Sequence, residues 1–167
     1  MNHEQARQDI HDWIMDFVEV ANPALAGWPP CPYARAARLR GSVDIRPGTD
    51  PYSDLETVCN QGLAQYEVVI YVYDPAAWSH STLATSIELA NQEFLVGNNL
   101  IALEDHPHDP EIVNGIVMNQ GTWALALVQS LSDLNSKAQQ LAMQGFYQNW
   151  PQDYLQQLFR HRRDPRT

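Results

Sequence analysis

Val68-Val69-Ile70-Tyr71-Val72-Tyr73, closed by Asp74-Pro75, is the stretch on which the fold turns. It is continuously apolar or aromatic and rich in β-branched residues. A strand without polar alternation is buried on both faces, as in a sheet that carries helices on each side. Upstream, Arg40 to Arg46 does alternate, with Val43 and Ile45 on one face, and Pro47-Gly48 ends this first strand. Between the two strands, Asp54 reads as a helix N-cap, and Leu55, Val58, Cys59 and Leu63 form an apolar stripe reaching about Tyr66. Downstream, a helix starts at Ser81 or Thr82 and runs to about Leu95, with Leu83, Ile87, Ala90 and Phe94 inward. Gly97-Asn98 ends it, and residues 99–105 form a third strand.

The rest of the chain reads as helical. Residues 4–20 carry Ile10, Ile14, Phe17 and Val18 at helical spacing, with Trp13 beside them, and residues 33–39 suit a short helix. Asp109-Pro110-Glu111 has the order of N-cap, first helical position and acidic first turn, which predicts a helix to about Met118. A break at 119–121 leads into a long helix from Thr122 to Gln144, and a last helix starts near Pro151.

Strands separated by such helices imply right-handed βαβ crossovers. The expected fold is α/β (or α+β): a small, mostly parallel sheet of three or four strands flanked by helices, with a helical C-terminal third. A ferredoxin-like sandwich is the alternative. The 167 residues suit one globular domain over residues 1–159, with a basic tail at 160–167.

A formal charge of −10 argues against general nucleic-acid binding, because phosphate is repelled. The charge is uneven. Arg160, Arg162, Arg163 and Arg166 crowd the last eight residues against Asp164 alone, so residues 1–159 carry roughly −13. The tail reads as a solvated helix end or as a handle for an acidic partner. No apolar run is long enough for a membrane span, and the N-terminus lacks the pattern of a signal peptide, so a cytoplasmic location is expected.

If the strands are parallel, their C-terminal ends share one edge, where ligands bind in such sheets. That edge collects Arg46, Asp74, Trp78 and His80, and above all Glu104-Asp105-His106-Pro107-His108-Asp109-Pro110-Glu111. An extended His-x-His places both imidazoles on one side, a set suited to Fe, Zn or Mn. His106, His108 and Asp105 are therefore the candidate metal ligands, and the same residues are candidate acid–base groups. Asp74, His80, Asp105 and Glu111 compete for the third ligand position. A structural reading competes, with Asp109 as a cap and His106 bonded to a carbonyl.

The second constellation is Pro30-Cys31-Pro32-Tyr33-Ala34-Arg35-Ala36-Ala37-Arg38. A helix starting near Tyr33 would put the Cys31 thiol at its N-terminal end, where thiolate is favoured. Arg35 and Arg38 would share a helix face, as candidate holders of an anionic substrate group. Asn119, beside glycines, is a candidate pocket residue. No P-loop, GxGxxG or GxSxG occurs, and Lys137 is the only lysine, so no nucleotide cofactor is expected.

Trp13 in an N-terminal helix, Cys31-Pro32-Tyr33-Ala34, the apolar strand ending at Pro75 and the strand running into His106-Pro107 fall in an order that resembles the uncharacterised bacterial DUF1415 family. The likeness spans residues 10–110. Departures are the insertion at Pro23–Pro30, the acidic residues ahead of His106-Pro107 and the C-terminal third. The resemblance implies an α/β fold and points to Cys31 and His106. It implies no known activity.

The expectation is thus a small enzyme acting on a small, anionic molecule at a His/Asp site that takes a divalent metal. The alternatives are a non-catalytic binding or accessory protein, and thiol chemistry at Cys31. The oligomeric state, including a homo-oligomer, stays open.

Overall fold

The structure, a computed structural model, describes residues 1–167. Helix α1 spans His3–Trp13, capped by the Asn2 side chain, and runs on as a π-helical turn to Val18. After the proline-rich passage come the short α2 (Ala34–Leu39) and strand β1 (Val43–Pro47). Helix α3 spans Pro51–Gln61. Its cap is Asp50, which accepts from Ser53 N, with Pro51 at the first helical position. Asp54, expected as the cap, instead accepts from Thr49 N and Asp50 N. Strand β2 is Val68–Tyr73, as its composition predicts. Helix α4, His80–Ala90, starts one residue after its cap Ser79 and continues as a π-helical turn through Leu95. Strand β3 is Leu100–Asp105.

One helix expected after β3 is a hairpin, and another is strand over its first part. Ile112–Val113 (β4) and Ile116–Val117 (β5) form a two-residue hairpin over Asn114-Gly115, both with positive φ. That is the turn chemistry of an Asn-Gly hairpin, and it overrides the capping pattern at Asp109-Pro110. The first half of the expected long helix is β6, Ala124–Ser130; only Leu131–Met143 is helical (α5), capped by Ser130. Helix α6 is Gln152–Leu158.

The sheet order is β1-β2-β6-β3. The fold is mixed α/β, with a four-stranded sheet and a helical C-terminal region. The pairing differs from the expected parallel one: β1 and β2 are parallel, whereas β6 pairs antiparallel with both β2 and β3. The inserted β6 is the reason. Strands β1, β2 and β3 still point the same way, so their C-terminal ends do share one edge.

Side-chain alternation divides the core by face. Val69, Tyr71 and Tyr73 of β2, Ala124, Ala126 and Val128 of β6, and Leu100 and Ala102 of β3 pack against Leu55 and Val58 of α3 and Leu83, Ile87 and Ala90 of α4. Each buried Val, Leu or Ile among them stabilises the fold by about 1.5–3 kcal/mol. On the other face, Ile70, Val72 and Leu125 pack against Ala6, Ile10 and Ile14. A third cluster joins Leu141, Phe146, Tyr147, Trp150, Leu155 and Phe159 to Leu25 and Val113. It is an aromatic seam, with Phe146, Tyr147 and Trp150 rings 4.8–5.8 Å apart.

Two contacts position the strand ends. Gly48 lies so close to the Tyr73 ring that a Cβ there would come within 2.1 Å of it, so only glycine fits. Asn91 pairs with the outer edge of β3: its Nδ2 donates to Ala102 O and its Oδ1 accepts from Ala102 N, both at 2.9 Å.

Residues 160–167, expected to be solvated, lie against the body. His161 and Arg160 bond Glu88 of α4, and Arg163 N donates to Asn135 Oδ1. No helix is long and apolar enough to cross a membrane.

Candidate functional site

Buried His106 ends β3 in a fixed role. Its Nδ1 accepts from His108 N at 3.1 Å, so Nε2 carries the hydrogen and donates to Trp78 O at 2.9 Å. Neither nitrogen keeps a free lone pair for a metal. His108 is exposed, with its ring against the His106 ring edge. Asp105 accepts from Asn119 Nδ2 at 2.8 Å and from Gln120 N at 2.9 Å. Burial raises its pKa, and these two bonds oppose the rise. Asn119 is a clasp rather than a pocket donor: its Nδ2 also reaches His106 O and Asp109 O, and its Oδ1 accepts from Glu111 N at 2.6 Å. The expected ligand set of His106, His108 and Asp105 therefore holds the strand end and its loop together.

The group that converges is His80, Glu104 and Asp109. Ligand atoms of all three lie within 4.8 Å of one another. His80 Nε2 is 3.2 Å from Glu104 Oε1 and 3.1 Å from Asp109 Oδ2. Three elements supply them. His80 is the first residue of α4, Glu104 follows Leu100 and Ala102 on the α4-facing side of β3, and Asp109 lies in the turn that the Asn119 clasp holds.

The electrostatics are strained by like charge. Burial first, and then repulsion from Asp109, Glu111 and Asp105, pushes the Glu104 carboxyl up to about 7. Glu111 is also raised, chiefly by burial, although Tyr154 Oη donates to it at 2.8 Å. The strand end thus gathers four carboxylates in a small volume, and His80 is the imidazole placed among them.

This group sits at one end of a cleft of about 690 Å³. The cleft runs over the part of the sheet that α1 leaves open, along Ile101 and Leu103 of β3, and is walled by α4, α5 and the C-terminal helices. Its size and mostly apolar lining suit a small-molecule site.

Cys31 lines the same cleft and is accessible from it, at a depth where burial pushes the thiol pKa up. The direction is opposite to the one expected at a helix N-terminus. Arg38 is committed to Glu19, with bonds of 2.9 and 2.7 Å, and Arg35 is exposed outside the cleft lining. Neither is placed to hold a substrate anion in the cleft. Tyr33 Oη instead meets Gln140 of α5, at 3.1 Å.

No family model, no curated protein and no solved structure matches the chain.

Proposed function

We propose that the chain is an enzyme acting on a small molecule in this cleft, with His80, Glu104 and Asp109 carrying the chemistry around a divalent cation such as Fe, Zn or Mn. One observation supports the reading above others: two carboxylate oxygens converge on a single imidazole nitrogen. That nitrogen carries at most one hydrogen and cannot satisfy both. Separations of 3.1 and 3.2 Å are also those of neighbouring ligands at right angles around an ion with bonds of ~2.1 Å. A divalent ion would neutralise the repulsion that raises Glu104, and would polarise a substrate oxygen or activate a water. Around it, Asp105 and Asn119 fix the Asp109 turn.

A second reading uses the same residues without metal. A carboxyl pushed up to about 7 beside an imidazole is suited to moving protons near neutral pH.

Elemental analysis of protein purified without an affinity tag, followed by Mn²⁺ titration, separates the two. Near one equivalent of metal, lost in both His80→Ala and Glu104→Gln, is the expected result. No metal and no saturable Mn²⁺ binding in the wild-type protein would leave the acid–base reading alone.

A further inference from the structure

We propose that the cleft takes a monocarboxylate with an apolar body, its carboxylate paired with Arg162. Arg162 belongs to the segment that reads as a basic tail, yet it lines the cleft. Its neighbours are spoken for: Arg160 and His161 share Glu88, and Arg166 holds Asp164. Arg162 has no carboxylate partner in a chain with twenty acidic residues against ten Lys and Arg. Its one side-chain hydrogen bond is Nη2 to Leu134 O at 3.4 Å, and its buried Nε has no acceptor. Its guanidinium lies over the Phe159 ring, 4.9 Å from the centroid, but no anion balances its charge; burying such a charge is costly and lowers its pKa, but a guanidinium stays charged.

Two other lining residues have the same need. Trp13 Nε1 and Trp150 Nε1 are also buried without acceptors, and both residues line the cleft. Three of the four orphaned buried polar atoms thus belong to residues that line one cavity. Native proteins satisfy such atoms with water, ions or ligands. A wall with surplus donors and one unpaired cation calls for an anionic acceptor.

Carboxylate fits better than phosphate. The planar guanidinium fork matches a carboxylate with two parallel bonds. A dianion would want a second cation, and the cleft's lysine, Lys137, is already bonded to Glu67 at 2.8 Å. Ile101, Leu103, Leu127, Leu141 and Phe146 offer the body an apolar path.

The orientation follows from the strand. Arg162 contacts Leu134, one turn into α5, which leaves the sheet beside Leu100; Glu104 lies at the far end of β3. A ligand held by Arg162 runs along β3 towards His80 and Glu104 at the far end of that strand. That orientation rests on the function proposed above; the carboxylate site does not.

The test is calorimetric titration of the full-length protein, in EDTA, with octanoate, octanol and octylamine. Octanoate should bind saturably, with octanol and octylamine weaker by at least about tenfold. Arg162→Met should lose octanoate by a similar factor, Arg162→Lys should retain part of it, and Arg163→Met should bind as the wild type does. Equal binding of octanoate and octanol, no octanoate binding, or an Arg162→Met variant that binds normally would overturn the proposal. The comparison of probes on wild-type protein stands even if Arg162→Met fails to fold. Because no metal is present, a failed metal titration and a failed octanoate titration are separate outcomes.

Discussion

His106 Nε2 donates to Trp78 O across 2.9 Å, and so ties the end of β3 to the loop that opens α4. The bond brings His80 beside Glu104, because His80 lies two residues beyond Trp78. His106→Ala should remove this tie and leave a cavity in a fully buried site, at a cost of roughly 2–4 kcal/mol. Urea unfolding checks the magnitude. His108→Ala, at an exposed position, should change stability by less than about 0.5 kcal/mol.

Glu104 gives the site a pH signature. Its folded pKa lies near 7, above the ordinary 4.5, so ionisation opposes folding. The sign is the reverse of a salt-bridged acid: the metal-free protein should lose stability as pH rises from about 4.5 to about 7. Glu104→Gln should abolish that loss. It should be more stable than wild type above pH about 7 and indistinguishable in slope below about 4.5. A variant that is less stable than wild type at high pH would contradict this.

Glu67 shows the opposite behaviour. Lys137 first, with Arg40 and Ser42, holds its carboxyl down at about 2. Its contribution is present above the ordinary 4.5 and is lost as pH falls through about 2. Lys137→Met should cost roughly 0.5–1 kcal/mol at neutral pH after allowance for solvent screening, and the difference from wild type should shrink on acidification. Thermal melts at a series of pH values read it directly.

Strand β2 and helix α4 were legible for simple reasons. Val68–Tyr73 is β-branched and uninterrupted, and Leu83, Ile87 and Ala90 keep a helical period. Strand β6 was not, because Ala124-Leu125-Ala126-Leu127 pairs strong helix formers with a position buried on both faces, so neither propensity nor alternation marks it. Its alanines are required by the sheet face on which they pack against α4. The β4–β5 hairpin did carry a signal, Asn114-Gly115 between Ile-Val pairs, which the Asp109-Pro110 cap pattern outweighed. At the site, the strand-end cluster of carboxylates and imidazoles was visible in sequence. Which imidazole faces the carboxylates was not, since that depends on the hydrogen bonds of His106. Arg162 was hidden because a run of arginines near a chain end reads as solvated.

Asn119→Ala should loosen the whole turn, because one amide serves Asp105, His106, Asp109 and Glu111. Leaving buried Asp105 short of a donor should cost about 1–3 kcal/mol. Hydrogen exchange should rise across residues 105–111 before the rest of the sheet opens.

Cys31 should alkylate slowly at neutral pH and faster only in alkali, since burial disfavours its thiolate. Iodoacetamide kinetics, compared with free cysteine, decide this. Reaction faster than the free thiol at pH 7 would restore a nucleophilic role.

The Asn91 amide occupies the donor and acceptor that Ala102 would otherwise turn outward. It imitates, at one residue, the neighbour that β3 lacks. Any incoming strand, from another copy or from a misfolded chain, must first evict that amide. The sheet therefore ends at four strands with its margin guarded by a side chain, and Asn91→Ala should make the protein prone to edge-to-edge association in concentrated solution.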